Sequence, residues 1–169
     1  MENKNKIEYK HKKYFPSLEK VSDGKKVYAF CCEYRWLSNF WPSKIKFDGY
    51  EYDSVEAAYH SAKNNSKEWK EFCAKNDSSS IKKAGQEISL RDDWEDVKVD
   101  IMEKLIRLKF NDNQELKQKL LETGDMVIEE GNEWGDVFWG VDLKTKEGKN
   151  ILGKIIMKVR EEIKNKKTN

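Results

Sequence analysis

The spacing of apolar and polar positions changes character several times along the chain. Residues 1–25 are Lys-rich and poor in apolar side chains, which predicts a loosely ordered basic arm ahead of the folded part. From Lys26 short β-type runs follow, Val27 to Phe30 and Ile45 to Phe47. The second leads through Asp48-Gly49, a turn dipeptide, into Tyr50 to Tyr52 as a hairpin. The aromatic stretch between them, Tyr34 to Pro42, has no clean period. At Ser54 the pattern turns helical: Asp53 or Ser54 can cap, Glu56 sits in the first turn, and Val55, Ala58, Tyr59 and Ala62 share a face. Asp77 to Ser80 reads as a loop and cap before a helix from Ile81 to Glu87. A longer helix is predicted from about Asp93 to Asn111, capped by Asp92 or Asp93, with Val97, Ile101, Leu105 and Leu108 inward. Asn113 to Glu122 continues as helix, with Leu116, Leu120 and Leu121 apolar, and stops at Thr123-Gly124. Met126 to Ile128 is a short strand, and the last helix, near Lys149 to Lys164, points Ile151, Leu152, Ile155, Ile156, Val159 and Ile163 to one side. The expected fold class is α+β: one helix-rich domain over residues 26–164 with a small β-sheet, followed by a basic tail at 165–169.

Composition adjusts this picture in two places. Charged residues at 38% and a mean hydropathy of −0.95 would suit a disordered chain, but 12% aromatics including six Trp require a packed interior. Lys plus Arg (33) nearly balances Asp plus Glu (31), so the net charge of +2 provides no broad field for a long polyanion such as duplex DNA. The basic cluster of Lys158, Arg160, Lys164, Lys166 and Lys167 reads as a solvated helix end. Three cysteines, with Cys31 and Cys32 adjacent in an apparent strand and so facing opposite ways, argue against a disulfide framework. No apolar run resembles a signal peptide or approaches the roughly 20 residues of a membrane span, which predicts a cytoplasmic protein away from membranes.

A metal site is not expected, because His11 and His60 are the only histidines and no Cys or His pair has zinc spacing. Gly131, Gly135 and Gly140 do not follow the dinucleotide or P-loop patterns. What remains is a set of carboxylates among tryptophans, concentrated in Glu129 to Gly140, where Asp136 lies between Trp134 and Trp139. An acid beside indoles is partly desolvated, the condition for acid–base work. Two carboxyls commonly cleave a glycosidic bond, and indole faces stack bases at roughly 1–3 kcal/mol each in single-stranded nucleic-acid sites. The same residues also read as a first-turn helix acid, Glu56, and as core aromatics, Trp94, Trp134 and Trp139, and residue chemistry alone leaves both open.

Several ordered blocks carry a resemblance. Trp36-Leu-Ser-Asn-Phe-Trp-Pro42, Ile45 to Gly49 and Ser54-Val-Glu-Ala-Ala-Tyr-His-Ser-Ala-Lys63 are followed by Arg91-Asp-Asp-Trp94, Leu108-Lys-Phe110 and Leu121-Glu-Thr-Gly124. Glu130 to Gly140, Gly148 to Lys154 and Met157 to Arg160 complete the set, which spans about residues 27 to 163. Together they resemble the NADAR (YbiA-like) family of N-glycosidases. The resemblance implies hydrolysis of a base–ribose bond, either in ribosylamine phosphates of riboflavin synthesis or in ADP-ribose attached to a guanine base. It implies no cofactor, and as partners a small phosphorylated nucleotide, an ADP-ribosylated base, or an ADP-ribosylated nucleic acid. By position it assigns Glu56 and Asp136 as catalytic carboxylates, converging in one cleft. Lys63, two helical turns from Glu56, would hold a phosphate, with Arg35 a weaker candidate for the same task. Trp94 and Trp139 would be walls that stack the base, Trp134 a further contact, and Asn39 and Ser38 hydrogen-bonding or turn residues. The family often has His-x-Tyr-Gln after the helix acid, where this chain reads Ala57-Ala-Tyr-His60, so its substrate preference is expected to differ. His60 is taken as a pocket-edge or core histidine. The alternatives are a module that binds ADP-ribose or a related nucleotide without cleaving it, and an interaction protein using residues 34–42.

Overall fold

A computed structural model describes residues 11–168. The chain divides into two compact units, Asn39–Gln118 and a second formed by the chain up to Ser38 together with everything from Lys119 onward.

The Asn39–Gln118 unit follows from local signals. Strands β1 (Lys26–Val27), which belongs to the other unit, and β2 (Ile45–Phe47) are separated by the aromatic stretch; β2 pairs antiparallel with β3 (Tyr50–Tyr52) in the register Ile45 to Tyr52 and Phe47 to Tyr50. Asp48 and Gly49 both take positive φ, 52° and 81°, the conformation a two-residue primed turn demands and Asp-Gly tolerates. Ser54 then caps α1 (Val55–Ser61), its Oγ accepting the Ala57 N–H at 3.1 Å. This helix is buried on nearly every side, at Val55 and from Ala57 to Ser61, and it packs against β2, β3 and the three helices that follow. Those are α2 (Lys67–Lys75), α3 (Ser78–Ala84) and α4 (Trp94–Asp112). The first of them was not expected from the sequence; Ser66 caps it through the Trp69 N–H, and it buries only Trp69 and Cys73, too few for a clear apolar stripe. Asp77, within the expected cap segment, caps α3 by accepting from the amides of Ser79 and Ser80, so the helix runs three residues earlier than the expected Ile81 to Glu87.

Helix α4 differs from expectation in two respects. Asp93 makes no cap bond with its side chain, because Arg91 takes both carboxylate oxygens at 2.5 and 2.8 Å. The buried face is Met102, Leu105, Ile106, Lys109 and Phe110, so the inward stripe is rotated away from Val97, Ile101 and Leu108, which are only half-buried. Helix α5 (Gln114–Glu122) begins in this unit and ends beyond its boundary; at its end Gly124 takes φ 57°, the left-handed C-cap.

The other unit is assembled from distant segments. Here β1 pairs in parallel with β4 (Val127–Ile128), and β5 (Gly131–Asn132) with β6 (Val141–Asp142). Helix α6 (Ile151–Thr168) packs on β4 and buries Leu152, Ile155, Ile156, Val159 and Ile163. Main chain approaches main chain closely at its glycines: a Cβ on Gly131 would sit 2.1 Å from the Tyr28 carbonyl, and one on Gly153 2.2 Å from that of Ile128.

Three expectations need correction here. The described part of the N-terminal arm, from residue 11, is packed: Leu18 and Val21 are buried in a cluster with Ala29, Cys31 and Leu143, since two apolar side chains suffice to anchor a polar stretch. Residues 1–10 lie outside the described residues. Cys32 begins a 3₁₀ helix, Cys32–Leu37, with φ 52°, where a strand was expected, and Cys31 remains buried. At the chain's end, helix continues through 165–168 where a tail was expected, and Arg160 is only 4% exposed, its Nη1 donating to Thr123 Oγ1 and the Met126 carbonyl at 2.9 Å. That cation ties α6 to the turn after α5 and is not part of a solvated end.

Candidate functional site

Within the Asn39–Gln118 unit, four of the residues singled out from the sequence lie on or beside α1. Ser54 sets the start of this helix and the Asn39 carbonyl accepts the Glu56 N–H at 2.9 Å, so both ends of the first turn are pinned. The Glu56 side chain is only 12% exposed, and its Oε1 lies 3.0 Å from Nε2 of His60, one turn on. A carboxylate accepts, so the ring contributes Nε2–H. Asn39 itself is half-buried; its Nδ2 lies 3.5 Å from Met102 Sδ and its Oδ1 is buried without a partner.

Helix α1 ends at Ser61, so Lys63 lies just past it and not on a second full turn, its N–H bonded to the His60 carbonyl. The ammonium sits 5.4 Å from the Tyr59 ring centre and 6.0 Å from that of Trp94, and no carboxylate of the described residues pairs with it. Burial pushes the Lys63 ammonium below its ordinary pKa, the charge of Glu56 opposes this, and nearby Lys82 adds to it. Trp94 is 5% exposed at the head of α4, its ring 5.0 Å from that of Tyr59 and tilted by 55°. A cavity of about 390 Å³ is lined by His60, Lys63, Lys82, Gly85, Gln86 and Trp94, with Ile88 and Leu90. It combines an unneutralised half-buried cation, an indole and a polar rim, and is of the size a small ligand occupies.

The remaining four, Arg35, Trp134, Asp136 and Trp139, belong to the other unit. Arg35 is exposed on the 3₁₀ helix, its Nη1 3.3 Å from Ser38 Oγ. Trp134 is 62% exposed and meets Phe15 at 6.2 Å, which removes it from the core. Asp136 is half-buried, and its Oδ1 accepts the amides of Phe138 and Trp139 at 3.1 and 2.9 Å. Asn132, fully buried, braces the same loop: its Oδ1 accepts the Asp136 N–H at 3.0 Å while Nδ2 donates to the Asp136 carbonyl at 2.8 Å. The half-buried Trp139 ring stands edge-on to Phe138 at 5.0 Å. Asn150 does similar work nearby, bridging Glu130 N–H and the Ile128 carbonyl. Sequence reading missed Asn132, Asn150 and the partnership of His60 with Glu56; only the last had a readable signal, the i,i+4 spacing of an acid and an imidazole.

Among the described residues no three His, Cys, Asp or Glu side chains are grouped to hold a metal ion, and no helix is long and apolar enough to cross a membrane. The fold is helix-rich α+β with small two-stranded sheets, and an imidazole, a lysine and an indole line one cavity. The NADAR domain matches residues 4–164, and the chain belongs to the NADAR family. It is 33% identical over 141 residues to N-glycosidase YbiA of Escherichia coli, covering 80% of this chain and 86% of that protein. The solution structure of Escherichia coli YbiA superposes with a TM-score of 0.75 at 29% identity, over 85% of this chain and 86% of that one. A riboflavin biosynthesis protein of Vibrio vulnificus is 34% identical over 131 residues, 76% of this chain but only 35% of that protein. An N-glycosidase of Nostoc punctiforme is 45% identical over 76 residues, 45% of this chain and 47% of that protein. The chain thus spans between about a third and a half of the length of these last two relatives.

Proposed function

We propose that this protein is an N-glycosidase that hydrolyses the base–ribose bond of a phosphorylated nucleotide-type substrate. The observation that carries the proposal is the α1 cavity: its lining imidazole, His60, is bonded to the mostly buried Glu56 carboxylate, and beside it stand a half-buried Lys63 with no carboxylate partner among the described residues and the Trp94 indole. Cleavage of a ribose C1–N bond proceeds through an oxocarbenium-like centre, which a nearby carboxylate stabilises or serves by handling the proton of water or leaving base. Lys63 meets the substrate phosphate as a point charge, and the depression of its pKa by burial marks a cation that gains most from a bound anion. Trp94 excludes water and offers its edge or face to the base. The names of relatives in Escherichia coli and Vibrio vulnificus support this reaction class, and the latter favours ribosylamine phosphates of the riboflavin route over ADP-ribose on guanine.

In the other unit the assignment is residue by residue. Asp136 uses Oδ1 to shape the Phe138–Trp139 loop and keeps Oδ2 without a protein hydrogen bond among the described residues, and we assign that oxygen to turnover. Trp139, Trp134 and Arg35 are assigned to substrate contact, and Asn39 to fixing the Glu56 backbone.

The test is chromatographic release of free base from riboflavin-pathway ribosylamine phosphates, ADP-ribose, NAD and ADP-ribosylated guanosine. Release from one of these, lost in Glu56→Gln while binding persists, establishes the glycosidase and its substrate. No release from any, with ADP-ribose still bound, replaces it with a non-catalytic nucleotide-binding module.

A further inference from the structure

Gly85 is a glycine whose backbone has no need of one. It ends α3 with φ −64° and ψ −12°, right-handed helical values that any residue adopts. What the position lacks is room: a Cβ built there would lie 2.7 Å from His60 Nδ1 and 3.3 Å from Cε1, with the Ile81 carbonyl oxygen next at 3.1 Å. The His60 ring is therefore wedged between the Gly85 Cα on one edge and the Glu56 carboxylate on the other, where Nε2 stands 3.0 Å from Oε1. The ring is 94% removed from solvent, its exposure being 6%, and Nδ1 is buried without any partner. The Glu56 carboxylate can only accept, so the ring presents Nε2–H to Oε1, while Nδ1 faces Gly85 without a partner. Trp69 fixes the same residue from behind, its Nε1 donating to the His60 carbonyl at 2.7 Å.

We infer that His60 is a positioning residue for Glu56, and that Gly85 is the gap in the wall of the cavity that allows the ring to hold the carboxylate in one orientation. The inference rests on the catalytic assignment of Glu56 made above. Without the ring's donor, the carboxylate has a rotamer choice at the first turn of α1; a displacement of about 1 Å costs on the order of 100-fold in rate.

The experiment compares parent, His60→Gln, His60→Leu, Gly85→Ala and the His60→Leu/Gly85→Ala pair for base release, thermal midpoint and His60 ring nitrogens by ¹⁵N NMR. Expected are a fall in kcat on the order of 100-fold for His60→Leu at nearly unchanged KM, and recovery to within about tenfold in His60→Gln, whose amide N–H can replace the donor. Gly85→Ala is expected to lower kcat with a fall of a few degrees in thermal midpoint from overpacking, and to add nothing to the kcat loss in the His60→Leu background, because both act through one contact. The NMR signature is an Nε2–H tautomer that shifts in Gly85→Ala. Parent-level kcat in His60→Leu and in Gly85→Ala, in a protein that does release base, overturns the inference and leaves the glycosidase standing. Absence of release from the parent overturns the glycosidase reading; the His60–Glu56 contact is then judged by the tautomer, and an Nδ1–H ring overturns it.

Discussion

Glu56 and Asp136 each spend one oxygen on the protein, but on different partners. Glu56 lies in the first turn of a helix buried on nearly all sides and is held by a side chain, the His60 imidazole. Asp136 lies in a loop and is held by main chain, its Oδ1 receiving two consecutive amides. A contact to an imidazole can be removed or replaced without changing any backbone bond, so the carboxylate can be tuned separately from the fold. A contact to two amides defines the path of the loop itself, so charge and shape are coupled in one side chain. The two units thus use the same functional group for different balances of chemistry and architecture.

That contrast can be broken most directly at Glu56. Glu56→Gln should lower turnover by roughly 10²–10⁴-fold while the thermal midpoint moves by only a few degrees, as paired kinetic and calorimetric measurements will show. A large loss of stability instead would put Glu56 on the architectural side. At Asp136 the charge and the shape can be separated: Asn keeps an oxygen acceptor for the Phe138 and Trp139 amides, and Ala does not. Asp136→Asn should fold as the parent and lose about 100-fold in turnover, the low end of the usual range for general acid–base catalysis. Asp136→Ala should add a stability loss of about 1 kcal/mol in denaturant titration, comparable to deleting an N-cap acid. Equal turnover in parent and Asn variants would remove Asp136 from the chemistry.

Lys63 sharpens the comparison through pH. Its pKa is lowered in the folded state by burial, so between the folded value and 10.5 the unfolded chain binds more protons and stability rises with pH. Lys63→Met should therefore be more stable than the parent at neutral pH, with the gap closing as pH rises through the folded pKa toward 10.5, while its KM for a phosphorylated substrate increases. A thermal midpoint lower than the parent's at neutral pH would show that the lysine is paid for by contacts not seen around it. The smallest effect is expected at the hairpin: Gly49→Ala, at φ 81°, should cost about 1 kcal/mol and leave turnover intact.

How much of this was legible from sequence divides along the same line. The hairpin, the capped α1, α3 and α5 with its Gly124 stop were all readable, because Asp48-Gly49, Ser54, Asp77 and Thr123-Gly124 act within a few residues of themselves. The α4 face was misjudged because several registers of apolar residues are available in that helix and only packing selects Met102 and Ile106 over Val97 and Leu108. The β1–β4 pairing, the burial of Leu18 and the anchoring of Arg160 depend on residues far away in the chain, for which a local pattern carries no signal. For the site, the candidate carboxylates and tryptophans were visible as residue types. The work of Asn132 and Gly85 was not, because it consists of fitting against neighbours, and that of His60 showed only in its i,i+4 spacing from Glu56.

The parallel pairing of Lys26 with Val127 and of Val27 with Ile128 has a further consequence at the ribosome. Strand β1 leaves the exit tunnel well before β4 and has until then only the local Ser22–Val27 bridge, whereas every strand and helix wholly inside Asn39–Gln118 finds its neighbours as soon as that stretch has emerged. At the usual pace of synthesis the first segment waits for several seconds at least before Val27 meets Ile128. The charged flank of Lys20, Lys25 and Lys26 suits that waiting strand to water, and in the finished fold Lys26 pairs with Glu129 at 2.6 Å, beside β4.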